Sequence, residues 1–172
     1  MKITILKNQI VAFILLFGFQ FANAQDEVMN YKDLQKYLPS SISGYEAGEP
    51  DGQTMTMQGM SFSSASIEFT NEDDFVRVTL IDYFAAASMY QMATAMWGMG
   101  MSIEDDEMLA KAVKWEDNIV GWEEFRKIDK EATLALGIGD RFFMTVEANN
   151  QSGTDFVKSV AKKMDLTGLA DK

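Results

Sequence analysis

The longest apolar stretch of the chain lies near its N-terminus, from Ile10 to Phe19. It follows a basic start with Lys2 and Lys7, and it precedes the tripeptide Ala22-Asn23-Ala24. The stretch is too short to cross a bilayer, which takes about 20 apolar residues. A basic start, a short apolar run and a small-x-small tripeptide in this order are typical of a secretory signal peptide. The sequence therefore predicts a cleavable signal peptide over residues 1–24.

The remaining residues, 25–172, have a length that suits one domain. Apolar residues at helical spacing predict a helix over residues 26–38, which Pro39 ends. Glycine, proline and serine then recur through residues 39–60, which predicts a turn-rich connection. We expect residues 25–60 to form this helix and connection, and residues 61–172 to form the core of sheet and helices.

Alternating apolar and polar positions predict strands in both halves of the core. In the segment 75–83, for example, Val76, Val78 and Leu80 fall on one face and polar residues on the other. The short polar segment Asn71–Asp74 provides the turn before it. The pattern predicts these strands: 62–70, 75–83, 111–116, 119–127, 131–137 and 141–148.

Three segments are predicted to be helical within the core. Residues 84–99 are rich in alanine and methionine, which favour helix. Residues 102–105 resemble a capping box, so the acidic residues Glu104 to Glu107 are interpreted as a helix start rather than a metal site. Residues 154–164 form an amphipathic pattern, with apolar residues on one stripe and lysines on the other side.

The order of these elements predicts an α+β fold in a single domain. We expect a mainly antiparallel sheet of about five to six strands with helices packed on it. The second half of the chain is rich in strands, and the amphipathic helix closes it. No residue pattern in the chain is diagnostic of a family.

Composition removes several classes of function. The chain has no cysteine and no histidine, which excludes disulfides, thiol chemistry, histidine-ligated zinc and the Ser-His-Asp triad. Removing the two lysines of residues 1–24 from the 15 basic residues leaves 13 against 26 acidic residues, a net charge of −13. So negative a charge repels phosphate backbones and anionic lipids. We therefore expect no nucleic-acid partner. Because no second apolar run approaches membrane-spanning length, we also expect no membrane insertion after the signal peptide is cleaved.

Methionines stand out, and they fall in two clusters. One is the segment from Met55 to Met60, in the predicted connection; it contains Met55, Met57 and Met60. The other follows helical spacing in the predicted helix 84–99 and consists of Met89, Met92, Met96 and Met99. The simplest interpretation is packing, because methionine adapts well to irregular core surfaces.

A binding groove is a second interpretation of the same residues. Methionine-rich surfaces adapt to varied apolar partners. If the two clusters lie close together, they would line a groove to which Trp97 and Tyr90 add aromatic surface. If the helical stripe faces the sheet instead, there is no groove.

Copper binding is a third interpretation, because thioether sulfur suits Cu(I). The Met-x-Met-x-x-Met spacing of Met55, Met57 and Met60 can bring three sulfurs together. A fourth possibility is a small hydrolase that uses a pair of carboxylates, since aspartate and glutamate alone can cleave glycosides. Trp115 and Trp122 flank a predicted turn and could stack on a sugar, although we favour a core role in which they pair with each other across adjacent strands.

The leading prediction is a soluble periplasmic or secreted binding protein without catalytic activity. It would engage a hydrophobic small molecule or an envelope protein and would need no cofactor. The alternatives are a methionine-based Cu(I)-binding protein and a small carboxylate hydrolase.

Overall fold

A single antiparallel sheet organises the chain. The computed structural model describes residues 28–172 apart from 58, 59, 96 and 117, and it leaves out the side chain of Met57. Nine strands pair in the order β1–β3–β4–β9–β8–β7–β6–β5, and β2 also pairs with β3. Their bounds are: β1 Glu46–Ala47, β2 Asp51–Met57, β3 Met60–Asn71, β4 Asp74–Asp82, β5 Ser102–Glu104, β6 Met108–Glu116, β7 Ile119–Arg126, β8 Glu131–Ile138 and β9 Phe142–Ala148.

Two meanders meet at the centre of this sheet. Strands β2 to β4 form the first and strands β5 to β9 form the second. They are joined by the antiparallel pairing of β4 with β9, in which Val78 lies opposite Val146 and Leu80 opposite Met144. The chain passes between the meanders through the segment Tyr83–Met101, which we call the crossover.

The first face of the sheet is the core, because every second residue of the central strands is apolar and buried. Short helices cover this face: α1 Tyr31–Leu34, extended by a 3₁₀ turn Gln35–Tyr37, then α3 Asp155–Ala161 and α4 Leu166–Ala170. Leu34, Val157, Val160 and Leu169 are fully buried between them and the strands.

The second face is only partly covered. The crossover packs on it near the β8–β9 hairpin; it comprises a 3₁₀ turn Phe84–Ala86, helix α2 Ala87–Thr94 and a 3₁₀ turn Trp97–Met99. The rest of this face carries polar and charged side chains of the strands, among them Thr79, Arg77 and Glu147. Arg77 lies between Glu68 and Glu147, with its guanidinium 2.6 Å from the Glu68 carboxylate and 3.9 Å from that of Glu147.

The structure confirms a single sheet-rich domain with antiparallel strands and a few short helices. The sheet has nine strands rather than five to six. One addition is β2, because residues 39–60 are not a continuous turn-rich connection. Asp51–Met57 pairs along its length with β3. Alternating threonine and methionine suits such a hairpin even though few of its residues are strongly apolar.

The segment 102–107 is also different from the prediction. It is not a helix start: Ser102–Glu104 is strand β5, and the acidic residues form the turn into β6. The Asp105 carboxylate accepts hydrogen bonds from the backbone N–H groups of Glu107 at 2.8 Å and Met108 at 2.7 Å. These bonds lower the pKa of Asp105. The predicted capping box is therefore wrong: Ser102 lies in a strand, and the side chain that caps a turn is that of Asp105, between two strands.

The predicted helices are shorter than expected. The first is one turn of α-helix followed by a 3₁₀ turn, and the helix predicted over 84–99 is broken into three short pieces. The C-terminal amphipathic helix covers Asp155–Ala161, and a further short helix follows it. The signal peptide predicted for residues 1–24 lies outside the described residues. Within the described part of the chain, no helix is long and apolar enough to cross a membrane.

Candidate functional site

The crossover is anchored at its beginning by Asp82, the last residue of β4. The Asp82 carboxylate is fully buried and accepts two hydrogen bonds from the Arg141 guanidinium, at 2.9 and 2.7 Å. It also accepts the backbone N–H of Phe84 at 2.9 Å and that of Met29 at 2.7 Å. Asp82 therefore fixes where the crossover leaves the sheet. The Arg141 guanidinium also lies over the Phe84 ring, 4.6 Å from its centroid.

A row of four aromatic rings, two from the crossover and two from the strands, lies between the crossover and the second face of the sheet. The rings of Phe62 and Tyr83 are 6.5 Å apart, centroid to centroid, and those of Tyr83 and Phe143 are 6.3 Å apart. Trp97 stacks on Phe143 at 5.5 Å. The row runs from the β2–β3 hairpin to the end of the crossover, and it attaches the crossover to the sheet by apolar contact.

Tyr90 supplies a polar anchor in the middle of the crossover. Its side chain is buried, and its hydroxyl donates a hydrogen bond of 2.5 Å to the carbonyl oxygen of Gly139. Burial raises the pKa of Tyr90 to about 12, and the nearby Asp140 carboxylate adds to the shift. Gly137 allows this close approach, because a Cβ at that position would lie 2.7 Å from the Tyr90 hydroxyl oxygen.

The methionines of the crossover occupy its outer side. Met89, Met92 and Met99 are 43%, 81% and 72% exposed, and Phe84 is 37% exposed. We call these four side chains the methionine surface. Core packing, the simplest interpretation of the helical stripe, is therefore wrong for these three methionines. The sheet-facing positions belong to Tyr90 and Trp97, and Met96 lies outside the described residues.

A cleft of about 560 Å³ lies on the opposite side of α2 from the methionine surface, between the crossover, the β8–β9 turn and the C-terminus. Half of the residues described along it are polar (Tyr90, Thr94, Asn118 and Asp140), and the others are small or apolar, such as Val120. No methionine among the described residues lines it. The predicted groove, with methionine and aromatic walls together, is thus divided: the aromatic residues anchor the crossover while the methionines face outward.

The second methionine cluster lies at the tip of the β2–β3 hairpin. Met55 lies opposite Phe62, and Met57 lies opposite Met60. Opposed residues, and residues two apart in a strand, share a face. Positions 55, 57 and 60 therefore share one face, the one that carries Phe62 and the aromatic row. Met55 is 38% exposed.

The remaining candidates from the sequence are the two tryptophans and the acidic segment Glu104–Glu107. Trp122 lies opposite Ala112 on the second face, whereas Trp115 packs against the core, so the two tryptophans do not pair with each other. The acidic segment Glu104–Glu107 is exposed in its turn. Among the described residues, no three acidic side chains converge as a metal-binding group.

Buried carboxylates are the feature that sequence reasoning missed. Glu123 is 1% exposed and lies 3.0 Å from the Lys111 ammonium and 3.1 Å from that of Lys158. Thr154 donates a further hydrogen bond of 2.9 Å. Burial by itself raises the pKa of Glu123, but these hydrogen bonds outweigh it and the pKa is lowered. For the other buried carboxylate, Asp82, the sequence did carry a signal. Asp82 follows Val76, Val78 and Leu80 at the same two-residue spacing in β4, so it falls on the core-facing side, which indicates a carboxylate with buried partners.

Comparison with known proteins adds no relative. No protein-family model matches the chain, and searches of curated proteins and of solved structures found no significant match. The fold and the surface define a sheet-rich domain that presents exposed methionines on an anchored crossover.

Proposed function

We propose that this chain is a non-catalytic binding protein of the periplasm or the extracellular space, and that the methionine surface docks an apolar segment of an envelope protein. The observation that carries the proposal is the exposure of Met89, Met92 and Met99 on a segment whose inner side is firmly attached. When a partner covers apolar side chains that are exposed to water, the free energy of the system falls, and this favours binding.

The composition of this surface supports a protein partner. Methionine is unbranched and polarisable, so it adjusts to the shape of an apolar partner with little strain. The net charge of −13 after removal of residues 1–24 favours a partner whose apolar contact is surrounded by basic residues. A small molecule would need a concave apolar site that buries most of it. The exposed methionines lie on the outer side of a helix, and no methionine among the described residues lines the nearby cleft.

Site-specific photocrosslinking tests the proposal in the native cell envelope. A photoreactive amino acid at position 92 or 99 should capture the same envelope protein, whereas one at Ser159, which is exposed on a helix of the first face, should not. The purified partner should then bind the wild-type protein and lose at least about tenfold in affinity with Met92→Gln/Met99→Gln. An identical crosslinking pattern from position 159, or unchanged affinity of the double variant, would contradict the proposal.

Cu(I) binding at the hairpin is a second candidate, and the strand register favours it. Positions 55, 57 and 60 share one face within a few residues of the hairpin turn, which is how three thioethers would meet at one soft ion. Cu(I) titration against a chelator under reducing conditions tests it. The triple variant of Met55, Met57 and Met60 to leucine should abolish binding, while the same change at Met89, Met92 and Met99 should leave it intact.

The two triple variants are controls for each other in the copper titration. Because leucine keeps the surface apolar, docking is scored with Met92→Gln/Met99→Gln instead: loss of partner binding with that variant and not with the hairpin variant supports docking. Loss of copper only with the hairpin variant supports metal binding. The compartment is tested independently: mass spectrometry of the native protein should find an N-terminus at Gln25, and material that begins at Met1 in the cytosol would overturn it.

A further inference from the structure

The β2–β3 hairpin has no charged side chain from Gly52 to Ile67. Elsewhere charge is frequent, since 24% of the whole chain is Asp, Glu, Lys or Arg and the net charge is −11. Within the described strands, the hairpin thus forms a long segment without charge. Its position matters, because β2 lies at the edge of the sheet.

The outer edge of β2 has no strand partner among the described residues. β2 pairs with β3 alone. Helix α1 approaches β2 at its beginning: a Cβ on Gly52 would lie 2.9 Å from the Tyr31 ring, and the Gln35 side chain donates a hydrogen bond of 3.2 Å to the Pro50 carbonyl oxygen. Residues Gln53 to Thr56 are all exposed. A seven-residue strand with a free edge presents a row of backbone N–H and C=O groups that can pair with another strand.

The other exposed edges are protected. β5, at the far edge, has only three residues and leads into Asp105, Asp106 and Glu107. Beside β2, the short strand β1 has only two residues, and Gly48, Glu49 and Pro50 separate it from β2. Charge, proline and short length are the devices by which proteins prevent edge pairing. β2 has none of them between Gln53 and Met57.

We propose that β2 pairs with β2 of a second copy of this chain, antiparallel, about a twofold axis perpendicular to the sheet. Two copies of so acidic a protein repel each other over much of their surface, and pairing through the uncharged hairpin brings no like charges together between Gly52 and Met57. Pairing of a strand with itself closes a dimer, because each edge is used once. Pairing of β2 with β5 would leave free edges and bring acidic residues to the contact.

The geometry of this dimer has a consequence for docking. A twofold axis perpendicular to the sheet keeps the same face upward in both copies. The two crossovers then lie on one side of a continuous sheet, and the dimer presents two methionine surfaces in the same direction. This last step depends on the proposed docking function, whereas the dimer itself does not.

Sedimentation velocity over a range of protein concentrations tests the dimer, using protein produced from its full reading frame. Wild-type protein should form a dimer with no larger species. Gln53→Glu/Met55→Glu places like charges across the axis and should weaken the dimer by at least about tenfold. Ser102→Glu/Ile103→Glu makes the same change at β5 and should leave the dimer intact. Circular dichroism should show that both variants are folded.

Hydrogen exchange provides a second measurement. Amides of residues 52–56 should exchange more slowly at high protein concentration than at low concentration, while those of β5 should not change. A protein that stays monomeric with concentration-independent exchange would overturn the proposal. So would open-ended polymers, or a dimer that Met92→Gln/Met99→Gln dissociates and the β2 variant does not. Failure of docking with an intact β2 dimer would count against the proposed function alone.

Discussion

The guanidinium of Arg141 donates two hydrogen bonds, of 2.9 and 2.7 Å, to the carboxylate of Asp82, which is completely buried. The pair joins the end of β4 to the start of β9. Asp82 also holds the backbone of Phe84, so the pair determines where the crossover starts. The position of the methionine surface therefore depends on an ion pair that lies outside that surface.

Asp82→Asn should destabilise the protein by about 3 kcal/mol, because it removes the charge of a fully buried carboxylate and replaces one of the two oxygens that accept hydrogen bonds from Arg141 with an NH2 group. Chemical denaturation followed by fluorescence gives the free energy of unfolding. Asp33→Asn removes a carboxylate from an exposed pair with Lys36 and should cause no measurable change. Equal effects of the two substitutions would show that Asp82 does not have the role described.

Glu123 should make stability dependent on acidic pH. Its pKa is lowered in the folded protein, so the unfolded chain binds the proton first as the pH falls below the ordinary value of 4.5. The stabilisation is complete above that value and is lost as the pH falls through the folded-state pKa. Glu123→Gln should cost about 1–2 kcal/mol at pH 7 and reduce this acid dependence. Glu49→Gln, in an exposed loop, is the matched control for charge.

Tyr90 should produce the opposite dependence at alkaline pH. Its folded-state pKa is about 12 against an ordinary value of 10.0. The stabilisation is present below pH 10.0 and is lost as the pH rises towards 12, because the unfolded chain releases the phenolic proton first. The difference in ultraviolet absorbance titration between wild type and Tyr90→Phe should be centred near pH 12. A difference centred near pH 10 would mean that Tyr90 is exposed.

Gly137 should be intolerant of even one methyl group. A Cβ there would lie 2.7 Å from the Tyr90 hydroxyl and 3.1 Å from a methyl carbon of Thr94. Gly137→Ala should therefore push the crossover away from β8 and cost about 1–3 kcal/mol. Fluorescence of Trp97 should report the displacement. Gly153→Ala, where nothing lies within 4 Å of the added carbon, should be neutral.

Oxidation provides a direct measure of methionine exposure. Limiting hydrogen peroxide transfers one oxygen atom to a thioether sulfur and leaves water and a sulfoxide. Peptide mass spectrometry should find Met92 and Met99 oxidised well before Met144, which is completely buried. Equal rates at Met92 and Met144 would show that the crossover does not present its methionines to solvent.

Strand prediction succeeded where a residue pattern reports directly on burial. Alternation in β4, β8 and β9 identified the residues that face the core, because a strand with one buried face must place an apolar residue at every second position. The same reasoning missed β2, since its threonines and methionines lie on an exposed hairpin and bury little. It also misassigned the segment 102–107 as a helix start, because polar residues that bond nearby backbone groups occur in turns between strands as well as at the beginning of helices.

The sequence by itself determined the central strands, the absence of cysteine and histidine chemistry, and the strongly acidic surface. Tertiary structure alone decided that Tyr90 and Trp97 face the sheet while Met89, Met92 and Met99 face solvent. Helical spacing shows that residues share a side, but which side is buried depends on contacts with distant strands, such as the stacking of Trp97 on Phe143. The same holds for Asp82, whose partner Arg141 lies far along the chain and comes close only when β4 pairs with β9.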